Sequence, residues 1–384
     1  MGKRIIVELN NEFYNDDNKE EIHKYIDSNN KLLEVVTFYK NKITDFYQNK
    51  TWDKYKKLTN EYELIFTSPN AGHNISKYTP VSRSFFKLWE LLHDFKSDFF
   101  QNQNSFRSLF IAEGPGGFAE ALMKFRQDYY INDVHNDEQW GITLKSNSDK
   151  NIPDWKYKSS KLNIVYGQDD TGNIYNIDNI HHLKNTLGVN SMDLITADGG
   201  FDFSSDFNSQ EEMSLRLLTC EVYCALVMQR PKGTFVVKVF DIFTPYSLKL
   251  INILSDNYET VKMIKPLTSR PANSEKYLLC SGFKGDIKYV DIVKVLVECN
   301  WDDGVSEYMM DVLESVTINN NVTKNIILFN TLYISRQVAY IQKTIDYINR
   351  FMHHTHSENG GIKKIIESHI DKVRKWCTQY DIPT

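Results

Sequence analysis

Four polar residues stand where an apolar side chain is expected. Lys87 interrupts the helical i, i+3, i+4 stripe of Ser82-Arg83-Ser84-Phe85-Phe86-Lys87-Leu88-Trp89-Glu90-Leu91-Leu92. Asp198 follows the apolar run Leu194-Ile195-Thr196-Ala197, Lys238 sits within Gly233-Thr234-Phe235-Val236-Val237-Lys238-Val239-Phe240, and Glu275 borders the run that begins at Lys276. A lysine near the carboxyl end of a strand buried on both faces needs a carboxylate partner or a functional reason to be there. Asp198, ending the adjacent predicted strand, is its natural partner. The residue types leave two readings open for this pair: an ion pair at the rim of a sheet, or a site built for proton transfer. Taken alone, Lys87 reads as a snorkelling lysine and Glu275 as a strand-edge charge.

A second feature is Leu109-Phe110-Ile111-Ala112-Glu113-Gly114-Pro115-Gly116-Gly117-Phe118, which feeds the helix-like run Ala119-Glu120-Ala121-Leu122-Met123-Lys124-Phe125. Strand, glycine turn and helix follow from this pattern. Without side chains the turn lets a ligand approach the backbone, and the unpaired N–H groups opening the helix bind polar or anionic groups. The turn points to a nucleotide-like ligand, although glycine turns also occur in α/β domains that bind none.

These residues require a framework. From Leu109 onward strands and helices alternate, with strands at Gln139 to Leu144, Leu162 to Tyr166, Met192 to Ala197, Thr234 to Val239, Val261 to Ile264 and Lys276 to Gly282. The expectation is an α/β, doubly wound, mostly parallel seven-stranded sheet. Ligands bind such sheets beyond the carboxyl ends of the strands, which selects Gly114 to Phe118, Asp169 and Asp170, Asp198, and the segment around Lys238. The expected organisation is an N-terminal strand and helical segment over residues 1–75, the α/β domain over 76–285, and a helical C-terminal extension over 286–384. In that extension Ile292 to Glu298, Val305 to Val316, Arg336 to Phe351 and Ile362 to Trp376 carry amphipathic patterns.

Composition narrows the field. A net charge of −5 over 384 residues argues against a protein that coats nucleic acid with its whole surface, so a polyanion would have to meet a local patch. No apolar run reaches the roughly 20 residues of a membrane span, and neither a signal peptide nor a myristoylation pattern opens the chain. The expected location is intracellular, with nucleus, cytoplasm and viral factory or virion not distinguished. The five cysteines include no CxxC pair and fit reduced thiols. Cys220 and Cys224, one helical turn apart, read as buried small hydrophobes, and His353, His354 and His356 as a solvated loop; no metal is expected.

Ser82 to Leu88, Glu113-Gly114-Pro115-Gly116-Gly117-Phe118, Ala197-Asp198-Gly199-Gly200-Phe201 and Val237-Lys238-Val239-Phe240-Asp241 resemble successive motifs of the FtsJ-like ribose methyltransferases. Pro266-Leu267-Thr268-Ser269-Arg270-Pro271-Ala272-Asn273-Ser274-Glu275-Lys276-Tyr277 is similar to the segment carrying the catalytic glutamate in the eukaryotic and viral mRNA cap branch. The resemblance covers about Pro80 to Gly285. It implies a Rossmann-like fold, S-adenosylmethionine as donor, and a Lys87, Asp198, Lys238 and Glu275 tetrad. The implied reaction is transfer to the ribose 2′-hydroxyl of the first transcribed nucleotide, cap 0 to cap 1, with the 5′ end of capped mRNA as partner. Other capping or transcription proteins would dock on the C-terminal helices. Alternatives are the same chemistry on ribosomal or transfer RNA, or a non-catalytic RNA-binding subunit of a capping complex.

Under this resemblance Gly114, Pro115, Gly116, Gly117 and Phe118 line the methionine end of the donor, with Glu113 as a polar lining. Asp198 borders the donor as well, and Asp170 or its neighbour Asp169 contacts the adenine. The second strand ends in Thr143-Leu144-Lys145 where a Rossmann site usually has a carboxylate, which disfavours a nicotinamide dehydrogenase. Arg83, Lys145, Ser269, Arg270 and Asn273 are candidate RNA contacts, and Tyr78 or Tyr246 could stack a base.

Overall fold

The computed structural model describes residues 4–10, 18–47, 51–68, 74–100, 105–146, 152–201, 206–352 and 360–384. The histidine group at 353, 354 and 356 lies outside them. Eight strands form one sheet: β1 (Ile5–Glu8), β2 (Arg107–Ile111), β3 (Glu138–Ile142), β4 (Leu162–Val165), β5 (Met192–Ala197), β6 (Gln229–Val239), β7 (Tyr258–Lys265) and β8 (Lys276–Phe283), in the order β1-β7-β8-β6-β5-β2-β3-β4. Strands β6, β5, β2, β3 and β4 run parallel, β8 is antiparallel to β6 and β7, and β1 is antiparallel to β7. The sheet thus has one strand more than the expected seven. The extra one is the Arg4-to-Leu9 run, whose alternation suits an edge position and whose Ile5 stands opposite Lys265.

The chain leaves β2 outward through β3 to β4 and returns to β5 on the other side of β2. This reversal opens a crevice at the carboxyl ends of β2 and β5. Successive side chains of the central strands enter different cores, as a sheet covered on both faces requires. Leu109, Ile111, Phe235 and Val237 join one core, and Phe110 and Val236 the other. The second core also holds Phe85, Leu88 and Trp89 of the helix Ser84–Asp94 and Phe118 and Phe125 of the helix Gly117–Tyr129. Lys238, in step with Val236, therefore points to the face that the Ser84–Asp94 helix covers.

The flanking regions pack on each other and on the sheet. The helices Asn18–Tyr47 and Thr51–Thr59 lie against the long helix Asn320–Phe351, sharing a core of Ile43, Trp52, Tyr55, Ile341, Ile345 and Ile348. That long helix starts well before the expected Arg336, capped by Asn319, whose side chain accepts from Asn321 N. The last helix, Gly360–Gln379, returns to the second core through Val373, Trp376 and Cys377, and Trp89 Nε1 donates to the Tyr380 carbonyl at 2.7 Å. Among the described residues no helix is long and apolar enough to cross a membrane.

Candidate active site

Strand register brings the first pair together. Parallel β5 and β6 align Ala197 with Val237, so the next residues, Asp198 and Lys238, emerge side by side at the strand ends. Lys238 Nζ lies 3.2 Å from Asp198 Oδ1 and donates to the Asp198 carbonyl at 2.8 Å. On the other side of β6, antiparallel β8 places Tyr277 opposite Lys238, and the Tyr277 hydroxyl donates to Asp198 Oδ1 at 2.7 Å. The helix Ser84–Asp94 contributes Lys87, whose Nζ donates to Glu275 Oε2 at 2.7 Å, while Ser269 Oγ donates to Glu275 Oε1 at 2.7 Å. All four residues singled out in the sequence converge, as two ion pairs with Tyr277 between them and Lys87 Nζ 5.8 Å from the Tyr277 ring centre.

Tyr277 itself escapes the sequence reading, although a signal was there: in a strand, Glu275 and Tyr277 share a face. Burial would push the Glu275 carboxyl up, but Lys87, Lys238 and Lys265 hold it well below the usual carboxylate range. Burial would likewise lower the Lys238 ammonium. The charges of Asp198 and Glu275 outweigh it and raise Lys238 above the ordinary lysine value, so opposing effects meet at this residue and the carboxylates prevail.

Two cavities meet at Lys238. The first, of about 480 Å³, opens at the switch point and is lined by Ala112, Gly114, Thr143, Leu144, Gly172 to Tyr175, Asp198 and Lys238 among others. The second, of about 330 Å³, is walled by Lys40, Trp52, Lys56, Phe207, Asn273, Glu275 and Gln337, with Lys238, Gly200 and Phe201 common to both. The flanking helices that the sequence left unexplained thus build one wall of the second cavity. A group in either cavity reaches Lys238.

Around the first cavity the candidate donor contacts are placed as follows. Of the glycine turn only Gly114 lines it. Gly116, at φ 101°, is backed by Trp155, which a Cβ would meet at 2.8 Å, and the Pro115 carbonyl accepts from Lys156 N at 3.0 Å and Tyr157 N at 3.1 Å. Gly117 abuts Ser82 and Ser84, and Phe118 is a core residue whose ring packs tilted against Tyr277. Glu113 is buried behind the wall, where its Oε1 accepts from Thr196 Oγ1 and its Oε2 has no partner among the described residues; burial, with Asp198 and Glu221 nearby, raises its carboxyl well above the usual range. Asp169 is absorbed by its own loop, accepting from Thr171, Asn176 and Asn179. Asp170 is exposed and pairs with Lys145, placing a carboxylate at the rim opposite the strand end that lacks one. The loop residues that line the cavity are Gly172 to Tyr175, unmarked in the sequence because none of them carries a charge.

Most of the candidate RNA contacts are structural. The Arg83 guanidinium donates to the carbonyls of Glu63 at 3.0 Å, Phe66 at 2.7 Å, Tyr62 at 3.0 Å and Thr268 at 3.2 Å. Arg270 grips Glu63 with Nε at 2.9 Å and Nη2 at 2.7 Å, and Ser269 serves Glu275. Tyr246 is a core residue bonded to Thr219, and Tyr78 donates to Glu120 and packs on Phe85. Asn273 alone of this set is exposed in the second cavity. Cys220 and Cys224 are buried free thiols that burial pushes up, Cys220 to about 12.

Comparison with known proteins places this geometry. Residues 80–283, more than half of the chain, match the model of the FtsJ-like methyltransferases. A cap-specific mRNA (nucleoside-2′-O-)-methyltransferase 1A of Caenorhabditis briggsae is 34% identical over 61% of this chain and 27% of its own length. The methyltransferase 1 of that type from Mus musculus is 35% identical over 56% of this chain and 24% of its own. A C. briggsae relative named as the inactive 1B form is 32% identical over 61% of this chain and 28% of its own. The chain therefore spans about a quarter of the length of these relatives. The family uses S-adenosylmethionine, and the first cavity fits such a ligand: small residues Ala112, Gly114 and Gly172 bare the backbone, Ile142, Leu144 and Ile174 offer an apolar surface, and Asp198 and Lys238 supply charge at one end. The chain belongs to the FtsJ-like methyltransferase family.

Proposed function

We propose that this chain methylates the ribose 2′-hydroxyl of the first transcribed nucleotide of capped mRNA, with Lys87, Asp198, Lys238 and Glu275 as its catalytic residues. The observation that carries this reading is the position of Lys238 on the wall common to the two cavities, paired to Asp198 and flanked by the Lys87–Glu275 pair. The names of its relatives supply the substrate class. When bound, S-adenosylmethionine supplies a methyl group on a positively charged sulfonium. A ribose hydroxyl is a weak nucleophile, so its proton must leave as the oxygen takes the methyl group, and alignment of the two contributes heavily to the rate. Lys238 Nζ receives that proton. It can do so only when neutral, and a positive charge in the adjoining cavity opposes the hold of Asp198 and Glu275 on its proton. Asp198, fixed by Tyr277, orients the amine. Glu275, fixed by Lys87 and Ser269, borders the acceptor cavity.

A second reading, that the chain binds donor and RNA without turnover, is favoured by the relative named as inactive. The assembled tetrad speaks for activity. The deciding experiment incubates labelled donor with capped, uncapped and internally 2′-O-methylated RNAs and maps the methyl group by nuclease digestion. Label at the first nucleotide of capped RNA alone is expected, and Lys238→Ala should lower the rate by roughly 100-fold or more. Donor binding without transfer to any RNA sinks the proposal.

A further inference from the structure

The segment between β7 and β8 carries Glu275 and runs outside the sheet, yet its backbone is answered donor by donor. The Ala272 carbonyl accepts from Gln337 Nε2 at 3.1 Å; the Asn273 carbonyl from the Tyr333 hydroxyl and from Lys265 Nζ at 2.9 Å; the Ser274 carbonyl from Lys276 Nζ at 3.0 Å; and the Glu275 carbonyl from Lys265 Nζ. Ser274 Oγ is held in turn by Asp241 Oδ2 at 3.1 Å and by Gln337 Nε2 at 3.3 Å, and Asp241 is tied to Lys40 of the first helix at 2.7 Å. Four consecutive carbonyls thus accept from side chains.

Two of those side chains come from outside the family domain. Tyr333 and Gln337 lie four residues apart on one face of the helix Asn320–Phe351, and both are buried at 1% exposure. The segment is partly buried against this helix, where a carbonyl cut off from a donor is costly, so it takes the conformation in which these donors meet it. That conformation aims the Glu275 carboxylate at Lys87 and at the acceptor cavity. In this orientation Gln337 Nε2 faces the Ala272 carbonyl and Ser274 Oγ.

We propose that Tyr333 and Gln337 are positioning residues for Glu275, so that the long helix outside the methyltransferase domain completes the acceptor side of the site while the donor side is independent of it. This rests on the proposed role of Glu275 in ribose methylation. Displacing a reacting group by about 1 Å can cost up to roughly 100-fold in rate. Loss of either donor should therefore appear in turnover and not in donor affinity.

The test uses the full chain with Tyr333→Phe, Gln337→Leu and, as a control on the same helix, Thr344→Val, which removes a buried hydroxyl bonded to Thr59 away from the segment. Three readouts are taken: S-adenosylmethionine affinity by calorimetry, kcat and KM on whichever RNA the wild type methylates, and amide hydrogen exchange over 268–277 against 107–118. Both donor variants should lose about 10-fold or more in kcat/KM, keep donor affinity within about twofold, and exchange faster over 268–277 only; the control should do none of these. In a Glu275→Gln background Tyr333→Phe should add almost nothing, since both act through one group. Unchanged turnover in both variants, or full additivity with Glu275→Gln, overturns the proposal. If the wild type methylates no RNA, the functional reading fails by itself, and unchanged exchange over 268–277 still overturns the positioning.

Discussion

Replacing Tyr277 by phenylalanine removes one oxygen and tests how much of the site depends on a residue between the two ion pairs. Its hydroxyl donates to Asp198 Oδ1 at 2.7 Å, and the same oxygen lies 3.2 Å from Lys238 Nζ. Burial and the nearby Asp198 and Glu275 charges push the Tyr277 hydroxyl well above its ordinary value, so it is protonated near neutral pH and acts as a donor there. A hydrogen bond to a charged acceptor contributes about 1.5–3 kcal/mol. If that stabilisation holds Asp198 in the orientation that the reaction needs, its loss should slow turnover by roughly 10- to 150-fold, at about 1.4 kcal/mol per factor of ten. The ring remains to pack against Phe118, so the fold should survive with a modest drop in melting temperature. The assay is single-turnover methylation of capped RNA, with donor affinity measured in parallel. A Tyr277→Phe rate within about twofold of wild type would refute the reasoning, because Lys238 alone would then suffice to fix Asp198.

Because carboxylates raise Lys238 above the ordinary lysine value, its neutral fraction is small near neutrality, and the single-turnover rate should climb about tenfold per pH unit there; a flat profile argues against a lysine base. Gly172 has φ 74° and lines the donor cavity, and a Cβ there would overlap the Thr143 carbonyl oxygen, so Gly172→Ala should weaken S-adenosylmethionine binding by about 1–3 kcal/mol in calorimetry. Arg270→Gln should lower stability by about 1–3 kcal/mol, since Arg270 and Arg83 hold the buried Glu63 down at about 2 against its burial. With its folded value depressed, Glu63 contributes stability above its unfolded value that is lost as pH falls toward 2, and Arg270→Gln should shrink that acid-side loss in a melting series. The salt dependence of RNA binding should be unchanged in Arg270→Gln, whereas a true phosphate contact would reduce the slope by about one.

The arrangement also ties the two flanks to the methyltransferase domain. Lys40, Trp52 and Lys56 from one flank and Gln337 from the other wall the second cavity, and Lys40 reaches through to Asp241 at the end of the Lys238 strand. Asp241 is held down at about 2 by Lys40 and Lys276 despite its burial. Losing one partner of such a buried cluster costs about 3–5 kcal/mol, which couples the flanks to the stability of the Lys238 strand.

By itself the sequence determined the alternation of strands and helices, the glycine turn at Gly114, and which four polar residues interrupt or border apolar runs, because each is written locally. A lysine inside an apolar strand is conspicuous wherever its partner lies, and a strand end followed by Asp198 needs no distant information. Tertiary structure decided everything that depends on a partner far along the chain. Arg83 and Arg270 look like RNA contacts until Glu63 and the carbonyls of residues 62, 63 and 66 are seen to take their donors. Ser269 and Tyr277 gain their meaning only when Glu275 and Asp198 arrive beside them. Strand β1 joins the sheet by pairing with a segment more than 250 residues away, and Tyr333 and Gln337 reach the Glu275 segment from another helix altogether. Residue type states what a side chain can bond to, whereas packing chooses which of those bonds it makes.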